Sequence, residues 1–374
     1  MDSIEYTSRE KDEFYMWRCI ELARRGRNGV GTNPMVGSVI VCNDTVIGEG
    51  YHSRFGGPHA EVNAVNSVSE ENKKYLPMST LYVNLEPCAH FGKTPPCSSM
   101  IVRMGIRRVV IGIRDPFSEV DGRGIEELRG GGVDVTVGVL EKQCRHLNRR
   151  TAVYNNKHRP YIILKWAQTM DGYIDTGRDA SQPAPWLTGE RCRRLVHKWR
   201  SQERAIMVGT STVHRDNPSL TVRSWYGPDP LRVTIDRQGA LSVTNRIFDN
   251  NADTLLFTSP RNVTQIQSLL PEGSRTECMP VEFGGRVVEQ ILDTLYERKI
   301  TSLIVEGGTA LINSFIEARL YDELRIFVSP KVLSQLPYGH TGGVRAPEIP
   351  ASLFQRTSII DGVIVKTLLT GYYE

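Results

Sequence analysis

The sequence predicts two consecutive α/β domains, each built from a sheet with helices packed on it. Its 374 residues exceed what one hydrophobic core usually organises. Apolar strand-like runs alternate with longer segments along the whole chain, and this alternation is typical of sheets buried on both faces. The alternation is interrupted at residues 144–159, which are polar and basic. We interpret this stretch as a solvated linker rather than a phosphate contact, and we predict domains at 1–150 and 157–374.

The first domain is predicted to begin with a helix and to contain four strands. Within residues 10–25, Phe14, Trp17 and Ile20 recur at helical spacing. Short apolar runs indicate strands at 35–42, 80–85, 108–113 and 133–139. The intervals between these strands are long enough for helices, so we expect helical crossovers over a buried sheet.

The second domain is predicted to begin at the apolar strand 161–167, directly after Pro160. Further apolar runs indicate strands at 205–208, 231–235, 254–258, 302–305, 324–328 and 363–368. Helical periodicity marks residues 190–200, 287–299 and 310–320. Because strands and helices alternate again, this half is also expected to be α/β.

Composition narrows the class of protein. A hydrophobic fraction of 40% and a charged fraction of 24% are ordinary for a globular chain. The net charge of +4 is spread along the sequence, which favours a local anion site over a nucleic-acid surface. The polar N-terminus lacks the basic start and apolar run of a signal peptide, and seven scattered cysteines do not suggest a disulfide framework. We therefore expect a cytoplasmic protein with reduced thiols and no membrane or nucleic-acid partner.

The strongest motif is His59-Ala60-Glu61, followed by Pro87-Cys88 and Pro96-Cys97. Imidazole nitrogen and thiolate sulfur are preferred zinc ligands, and a catalytic zinc keeps three protein ligands and one water. His59, Cys88 and Cys97 would supply that set, and zinc makes the water acidic enough to attack an amino-bearing aromatic carbon near neutral pH. Glu61 is not a ligand in this scheme and would carry protons from the water to the ring and the leaving amine.

A structural zinc site is the alternative. Such sites are normally closed by a fourth Cys or His, and His52 or His90 could take that place. The nearby acid Glu61 would then have no task.

The first half resembles the deaminase domain of the bifunctional riboflavin enzymes, through TNPMVG, HAE and the spaced cysteines of EPCAHFGKTPPC. The resemblance implies a cytidine-deaminase-like three-layer αβα fold. It also implies substrate contacts from Asn33, His52, His90, Lys93 and Asp115. Lys93 is chemically suited to a phosphoester dianion. Where the family usually has an asparagine after this aspartate, the chain has Phe117, so Ser118 or backbone groups would have to replace one contact.

Two glycine turns in the second half end apolar strands before a predicted helix, at Gly209-Thr210 and at Gly307-Gly308. Exposed backbone N–H groups at such turns can bind anions, although many such glycines only form the turn. No GxGxxG fingerprint is present, so an ordinary Rossmann domain is not indicated.

Residues 160–374 resemble the reductase domain of the same enzymes, a fold akin to dihydrofolate reductase. The resemblance implies that Lys165, Asp216 and Glu306 surround the reacting ribose and that either Lys165 or Asp216 gives the proton. It implies substrate contacts from Ser181, Arg200, Leu220 and Arg223, and NADPH contacts from Trp186, Thr188, Gly209, Thr210, Asp216, Gly307 and Gly308. Ser181 is included because Ala184 stands where the family has a phosphate-binding serine.

The resulting hypothesis is a bifunctional enzyme of riboflavin biosynthesis with one zinc ion in its deaminase domain and NADPH in its reductase domain. It would deaminate 2,5-diamino-6-(5-phosphoribosylamino)pyrimidin-4-one and then reduce the ribosyl group to ribityl. The resemblance also implies a homo-oligomer. The alternative is a zinc deaminase acting on nucleic acid or free nucleotides, fused to a non-catalytic domain. It would call for a basic stripe with interleaved aromatics, which the sequence lacks.

Overall fold

A computed structural model describes residues 7–89, 95–115 and 122–370. The chain divides into two compact units, Met1–His158 and Arg159–Glu374. Among the helices of the described ranges, none is long and apolar enough to cross a bilayer.

The first unit contains one five-stranded sheet, in the order β2-β1-β3-β4-β5. Strand β1 is antiparallel to β2 and β3, whereas β3, β4 and β5 are parallel. Its elements are α1 (Ser8–Arg25), β1 (Gly37–Cys42), β2 (Thr45–Tyr51), α2 (Ala60–Asn66), β3 (Thr80–Leu85), α3 (Cys97–Arg103), β4 (Arg108–Ile113), α4 (Arg123–Gly130), β5 (Asp134–Val137) and α5 (Glu141–Lys157). The predicted helix and all four predicted strands are confirmed, with ends shifted by a few residues.

Helices cover both faces of this sheet. Alternate residues of one strand point to opposite faces, so Val39 packs with α1 and α5 whereas Ile40 packs with α2, α3 and α4. The predicted three-layer αβα arrangement is confirmed. A capping box of Thr7 and Glu10 starts α1 by satisfying backbone N–H groups that the helix leaves free.

The interpretation of residues 144–159 as a solvated linker is wrong, because most of this stretch lies in α5. Cys144 and Leu147 are buried in the core on the α1 side of the sheet. Arg145, on an exposed part of the helix, pairs with Glu141 one turn earlier. The helix is amphipathic, and the many basic side chains hide an apolar stripe that a composition argument overlooks.

The second unit contains a nine-stranded sheet in the order β11-β10-β9-β8-β12-β6-β13-β16-β15. The strands from β11 to β13 in this order are parallel, and β16 is antiparallel to both of its neighbours, β13 and β15. The strands are β6 (Tyr161–Gln168), β7 (Tyr173–Thr176), β8 (Ala205–Gly209), β9 (Leu231–Asp236), β10 (Thr254–Thr258), β11 (Thr276–Pro280), β12 (Ser302–Glu306), β13 (Glu323–Val328), β14 (Gly343–Arg345), β15 (Arg356–Ile360) and β16 (Val363–Leu369). The helices are α6 (Glu190–Arg200), α7 (Thr210–Asp216), α8 (Pro260–Leu269), α9 (Val287–Glu297) and α10 (Thr309–Glu317).

The predicted strands and helices of this half are confirmed, and β7 and β14 form a separate antiparallel pair. The large apolar core, with Leu164 of β6 and Val305 of β12, lies on the face covered by α9 and α10. Neighbouring residues of the same strands, Lys165 and Glu306, therefore point to the opposite face. Strands β8, β12 and β6 are adjacent and parallel, so the segments that follow them emerge at one edge of the sheet.

Candidate active sites

Three predicted metal ligands converge in the first unit. His59 is the N-cap of α2, Cys88 follows β3, and Cys97 is the first residue of α3. His59 Nδ1 lies 3.5 Å from Cys88 Sγ and 3.4 Å from Cys97 Sγ, and the three ligand atoms lie within 4.8 Å of one another. Tetrahedral zinc with ordinary bond lengths would place nitrogen and sulfur about 3.5 Å apart. The donor set and its spacing therefore fit zinc.

Local hydrogen bonds hold the two cysteines together. The Cys97 N–H donates to Cys88 Sγ over 3.4 Å, and the Ser98 hydroxyl donates to the Cys88 carbonyl over 2.9 Å. Hydrogen bonds from Cys97 and His59 lower the pKa of the Cys88 thiol to about 4. A thiolate is the form that binds a metal ion.

Glu61 lies two residues after His59 in the first turn of α2 and is 3% exposed. Burial raises the pKa of its carboxyl to about 7, and negative charge on Cys88 acts in the same direction. Such a carboxyl can accept and release a proton near neutral pH, as a general acid and base requires.

His52 does not close the metal site in this structure. Its Nδ1 lies 3.0 Å from the Pro58 carbonyl and its Nε2 lies 3.0 Å from Asn33 Nδ2. A carbonyl only accepts, so Nδ1 carries the proton and Nε2 accepts from the Asn33 amide. Burial lowers the pKa of His52, which favours this neutral ring. The structural-zinc alternative needs a fourth ligand, and His52, one of its two candidates, is bound to other groups. The other candidate, His90, lies outside the described residues.

Two buried amides that the sequence analysis missed hold the turn next to Asn33. Asn148 of α5 accepts from the Met35 N–H over 2.8 Å and donates to the Met35 carbonyl over 3.0 Å. Asn84 of β3 donates to the same carbonyl and accepts from the Gly37 N–H. These residues are far apart in the sequence, and only the tertiary fold brings Asn148 of α5 and Asn84 of β3 to the same residue, Met35.

Glu86, two positions before Cys88, is a third residue that the sequence analysis missed. Its buried carboxylate accepts backbone hydrogen bonds from Asp115 and Gly122 at 3.1 Å, Gly124 at 2.9 Å and Ile125 at 3.2 Å. Asp115, a predicted substrate contact, is therefore placed beside the end of β3. The predicted residues His90 and Lys93, and the departures at Phe117 and Ser118, lie outside the described residues.

In the second unit, Lys165, Arg200 and Glu306 form a buried ion cluster. Lys165 of β6 is in register with Glu306 of β12, and Lys165 Nζ lies 3.6 Å from Glu306 Oε2. Arg200, the last residue of α6, donates through Nη2 to Oε2 over 2.9 Å and through Nε to Oε1 over 3.3 Å. The Arg200 guanidinium thus faces Glu306, and its predicted contact with the substrate stays a prediction.

The charged groups of this cluster shift one another's pKa values. Burial alone would raise the pKa of Glu306, but Arg200 and Lys165 outweigh it and hold this pKa at about 2. Burial and the neighbouring Arg200 lower the pKa of Lys165, although Glu306 acts in the opposite direction. Glu306 is therefore a permanent carboxylate, and Lys165 releases its proton more readily than an exposed lysine would.

Asp216 ends α7, and its carboxylate accepts a hydrogen bond from Arg178. Its side chain is 36% exposed. Partial burial raises the pKa of Asp216, while Arg178 acts in the opposite direction. Arg178 was not singled out in the sequence, where an arginine in a polar loop gives no signal.

The loop after α7 packs against α6. Leu220 is buried with a left-handed backbone, φ 57°, and Arg223 is exposed. The Arg223 N–H donates to His197 Nδ1 over 3.1 Å. Burial, together with Arg200 and Arg223, lowers the pKa of His197 to about 4, so this missed histidine is a neutral acceptor that anchors the loop.

The two glycine turns approach each other closely. Gly307 has φ 114°, and a Cβ there would lie 2.6 Å from Thr212 Oγ1 in α7. Gly209 and Gly308 are the N-caps of α7 and α10, and the Thr210 hydroxyl donates to the Ile235 carbonyl. Backbone N–H groups at both turns are therefore available at the sheet edge where β8 and β12 end.

The remaining predicted residues lie between β7 and α6. Trp186 is 68% exposed, with the Arg193 guanidinium 4.8 Å from its ring centre. Thr188 is half-buried, and its carbonyl accepts from Arg193. Ser181 is exposed and hydrogen-bonded to Asp179.

Known families match both halves of the chain. A family model described as the cytidine and deoxycytidylate deaminase zinc-binding region matches residues 9–113. Another, described as the RibD C-terminal domain, matches residues 160–345. The match to two separate families agrees with the two kinds of site described above.

Full-length relatives match as well. The chain is 37% identical over 331 residues to the riboflavin biosynthesis protein RibD of Aquifex aeolicus, covering 87% of this chain and 89% of the relative. RibD of Escherichia coli is 35% identical, covering 86% and 89%. A solved Thermotoga maritima diaminohydroxyphosphoribosylaminopyrimidine deaminase/5-amino-6-(5-phosphoribosylamino)uracil reductase has a TM-score of 0.80 at 36% identity, covering 97% and 99%. Acinetobacter baumannii RibD has a TM-score of 0.78 at 30% identity, with the same coverage. The chain therefore belongs to the RibD family of riboflavin biosynthesis proteins.

Proposed function

We propose that this chain is a bifunctional enzyme of riboflavin biosynthesis, a hydrolytic deaminase and a reductase. Its first unit deaminates 2,5-diamino-6-(5-phosphoribosylamino)pyrimidin-4-one, and its second unit reduces the ribosyl group of the product to ribityl with NADPH. The observation that carries the proposal is the convergence of His59, Cys88 and Cys97 beside the buried carboxyl of Glu61. The alternative of a nucleic-acid or free-nucleotide deaminase is not favoured, since the second half also matches a riboflavin-enzyme family.

In the deaminase unit, His59, Cys88 and Cys97 would hold zinc. The ion supplies Lewis-acid activation of a water molecule. Glu61 would take a proton from the attacking water and pass it to the ring nitrogen, while the hydroxide adds to the amino-bearing carbon. It would then carry the proton of the new hydroxyl to the amine, which leaves as ammonia as the carbonyl forms. Asn33 and His52, already hydrogen-bonded to each other, would contact the substrate, as would Asp115. Residues His90 and Lys93 are proposed contacts for the phosphoribosyl group.

In the reductase unit, NADPH supplies the hydride, which reaches the ribose carbon in its open, imine-like form. We assign proton donation toward the ring oxygen to Lys165 rather than Asp216. The Asp216 carboxylate already accepts a hydrogen bond from a guanidinium, whereas the Lys165 ammonium has a proton to give. Glu306 orients Lys165, and the overall step consumes one hydride and one proton. The glycine turns at Gly209 and Gly307, with Trp186, Thr188 and Asp216, would contact the cofactor.

The test uses the full chain with the diaminopyrimidine ribotide. Ammonia release reports deamination, and loss of nicotinamide absorbance reports reduction. Glu61→Gln should abolish ammonia release yet retain zinc, and it should still reduce added 5-amino-6-(5-phosphoribosylamino)uracil. Persistent ammonia release by this variant would refute the proton-transfer role of Glu61.

We also propose that the enzyme is cytoplasmic and homo-oligomeric, with small molecules rather than nucleic acid as partners. Light scattering coupled to gel filtration would measure the mass in solution. A mass equal to one 42.1 kDa chain would overturn the oligomer proposal.

A further inference from the structure

Arg178 is a buried cation in the segment that follows β7. Its side chain is 1% exposed, although the surrounding residues Gly177 and Asp179 belong to a polar loop. Burying a guanidinium is costly unless its donors are paired. The structure pairs three of its nitrogens with three different parts of the unit.

Each of these contacts has a direction. Nε donates to Asp175 Oδ1 over 2.9 Å, and Nη1 donates to the Gln182 carbonyl over 2.9 Å. Nη2 donates to Asp216 Oδ1. The rigid fork of the guanidinium thus fixes the relative positions of Asp175, residue 182 and Asp216.

The topology makes this link important. Arg178 belongs to the segment that leaves β6, and Asp216 belongs to α7, which leaves β8. Strands β6 and β8 lie on either side of β12, which ends at Glu306. The contact between Arg178 and Asp216 therefore joins the two segments that flank the strand carrying Glu306. Replacing Arg178 would therefore remove a contact between the segments on the two sides of the proposed reductase site.

We propose that Arg178 is a positioning residue for reduction, which acts by orienting the Asp216 carboxylate at the end of α7. The proposal rests on the reductase function proposed above. Arg178 touches neither substrate nor cofactor, because its nitrogens are occupied by protein groups and its side chain is buried. Lysine could supply the charge but not the three divergent donors, so charge alone would restore little.

The charges around Asp216 determine what the loss of Arg178 does. Burial and Asp175 raise the pKa of Asp216, whereas Arg178 and Arg215 lower it. Removing Arg178 leaves Asp175 and Asp216 without the cation between them, and Arg215 lies 3.9 Å from Asp175. The pKa of Asp216 should then rise, and its carboxylate should lose a fixed direction.

Kinetics of the full-length enzyme test this with added 5-amino-6-(5-phosphoribosylamino)uracil and NADPH. Arg178→Gln should lower kcat/KM for reduction by on the order of 10-fold, and Arg178→Lys should restore only part of it. Deamination by the same preparations should be unchanged, which controls for enzyme concentration and for the folding of the first unit, and the thermal unfolding transition controls for the folding of the second. Arg191→Gln is the matched control, because Arg191 is 78% exposed and pairs with Asp361 at the surface; it should behave as wild type.

A double-mutant cycle separates positioning from general stabilisation. If Arg178 acts through Asp216, adding Arg178→Gln to Asp216→Asn should cost less than a further twofold. Independent, multiplying losses would overturn the proposal, as would an Arg178→Gln enzyme within twofold of wild type.

A carboxyl NMR titration with labelled aspartate, assigned through Asp216→Asn, gives a readout that does not need turnover. Arg178→Gln should raise the pKa of Asp216, and an unchanged titration would overturn the inference. Failure of the wild-type enzyme to reduce the substrate would instead refute the proposed function, while this titration would still decide the role of Arg178.

Discussion

Replacing Glu306 with Gln should destabilise the second unit through the ion cluster at the end of β12. The substitution keeps the shape of the side chain but leaves Lys165 and Arg200 buried without a counter-charge. A Glu306 pKa of about 2, against an ordinary 4.5, corresponds to about 3 kcal/mol of folding free energy. Burial lowers the pKa of Lys165 more than Glu306 raises it, so keeping this lysine charged in the cluster costs some folding free energy. We therefore expect a net loss of about 2 to 3 kcal/mol at pH 7.

The sign of the pH dependence follows from the lowered pKa. A carboxyl with a depressed pKa stabilises the fold fully above about pH 4.5, and this contribution is lost as the pH falls toward 2. The difference between wild type and Glu306→Gln should shrink to about half between pH 7 and pH 3. Urea denaturation at both pH values measures it.

A control distinguishes the buried cluster from a generic loss of charge. Glu190→Gln removes an acid that is 66% exposed and paired with Arg194 on α6, and it should change the unfolding free energy by less than about 0.5 kcal/mol. A Glu306→Gln loss below about 1 kcal/mol at pH 7, or one of equal size at pH 3, would refute the electrostatic reasoning.

Three further changes address other parts of the two sites. Removing metal with a chelator should stop ammonia release while reduction of the added uracil substrate continues, and added zinc should restore deamination. Loss of both activities would contradict the expectation that reduction does not need the metal. Glu86→Gln should lower deamination by on the order of 10-fold without loss of zinc, because one amide oxygen cannot replace a carboxylate that accepts four backbone N–H groups. Steady-state kinetics and metal analysis would check this, and an unchanged kcat/KM for deamination would contradict it. Gly307→Ala should raise the KM for NADPH and leave deamination intact, because a Cβ there would lie 2.6 Å from Thr212 Oγ1 and the backbone has φ 114°. An unchanged KM for NADPH would show that the turn tolerates a side chain.

The sequence alone was sufficient for features that depend on residue type and short spacing. The ligands His59, Cys88 and Cys97 could be predicted because zinc selects imidazole and thiolate, and few other arrangements combine them with an adjacent acid. The strands with continuous apolar runs could be predicted, whereas the more polar β2, β11 and β15 were missed. Amphipathic charge patterns were less informative, and α5 was mistaken for a linker because basic residues are interspersed with its buried ones.

Tertiary structure decided which distant polar groups meet. Asn148 reaches Met35 across 113 positions, Arg200 reaches Glu306 across 106, and Arg178 reaches Asp216 across 38. No local pattern shows that these residues pair with one another, because a buried amide or arginine resembles a surface one in sequence. Strand order and helix packing decide which of these groups meet. Because a buried polar group without a partner costs folding free energy, these pairings help to fix the positions of Glu306, Asp216 and the turn next to Asn33.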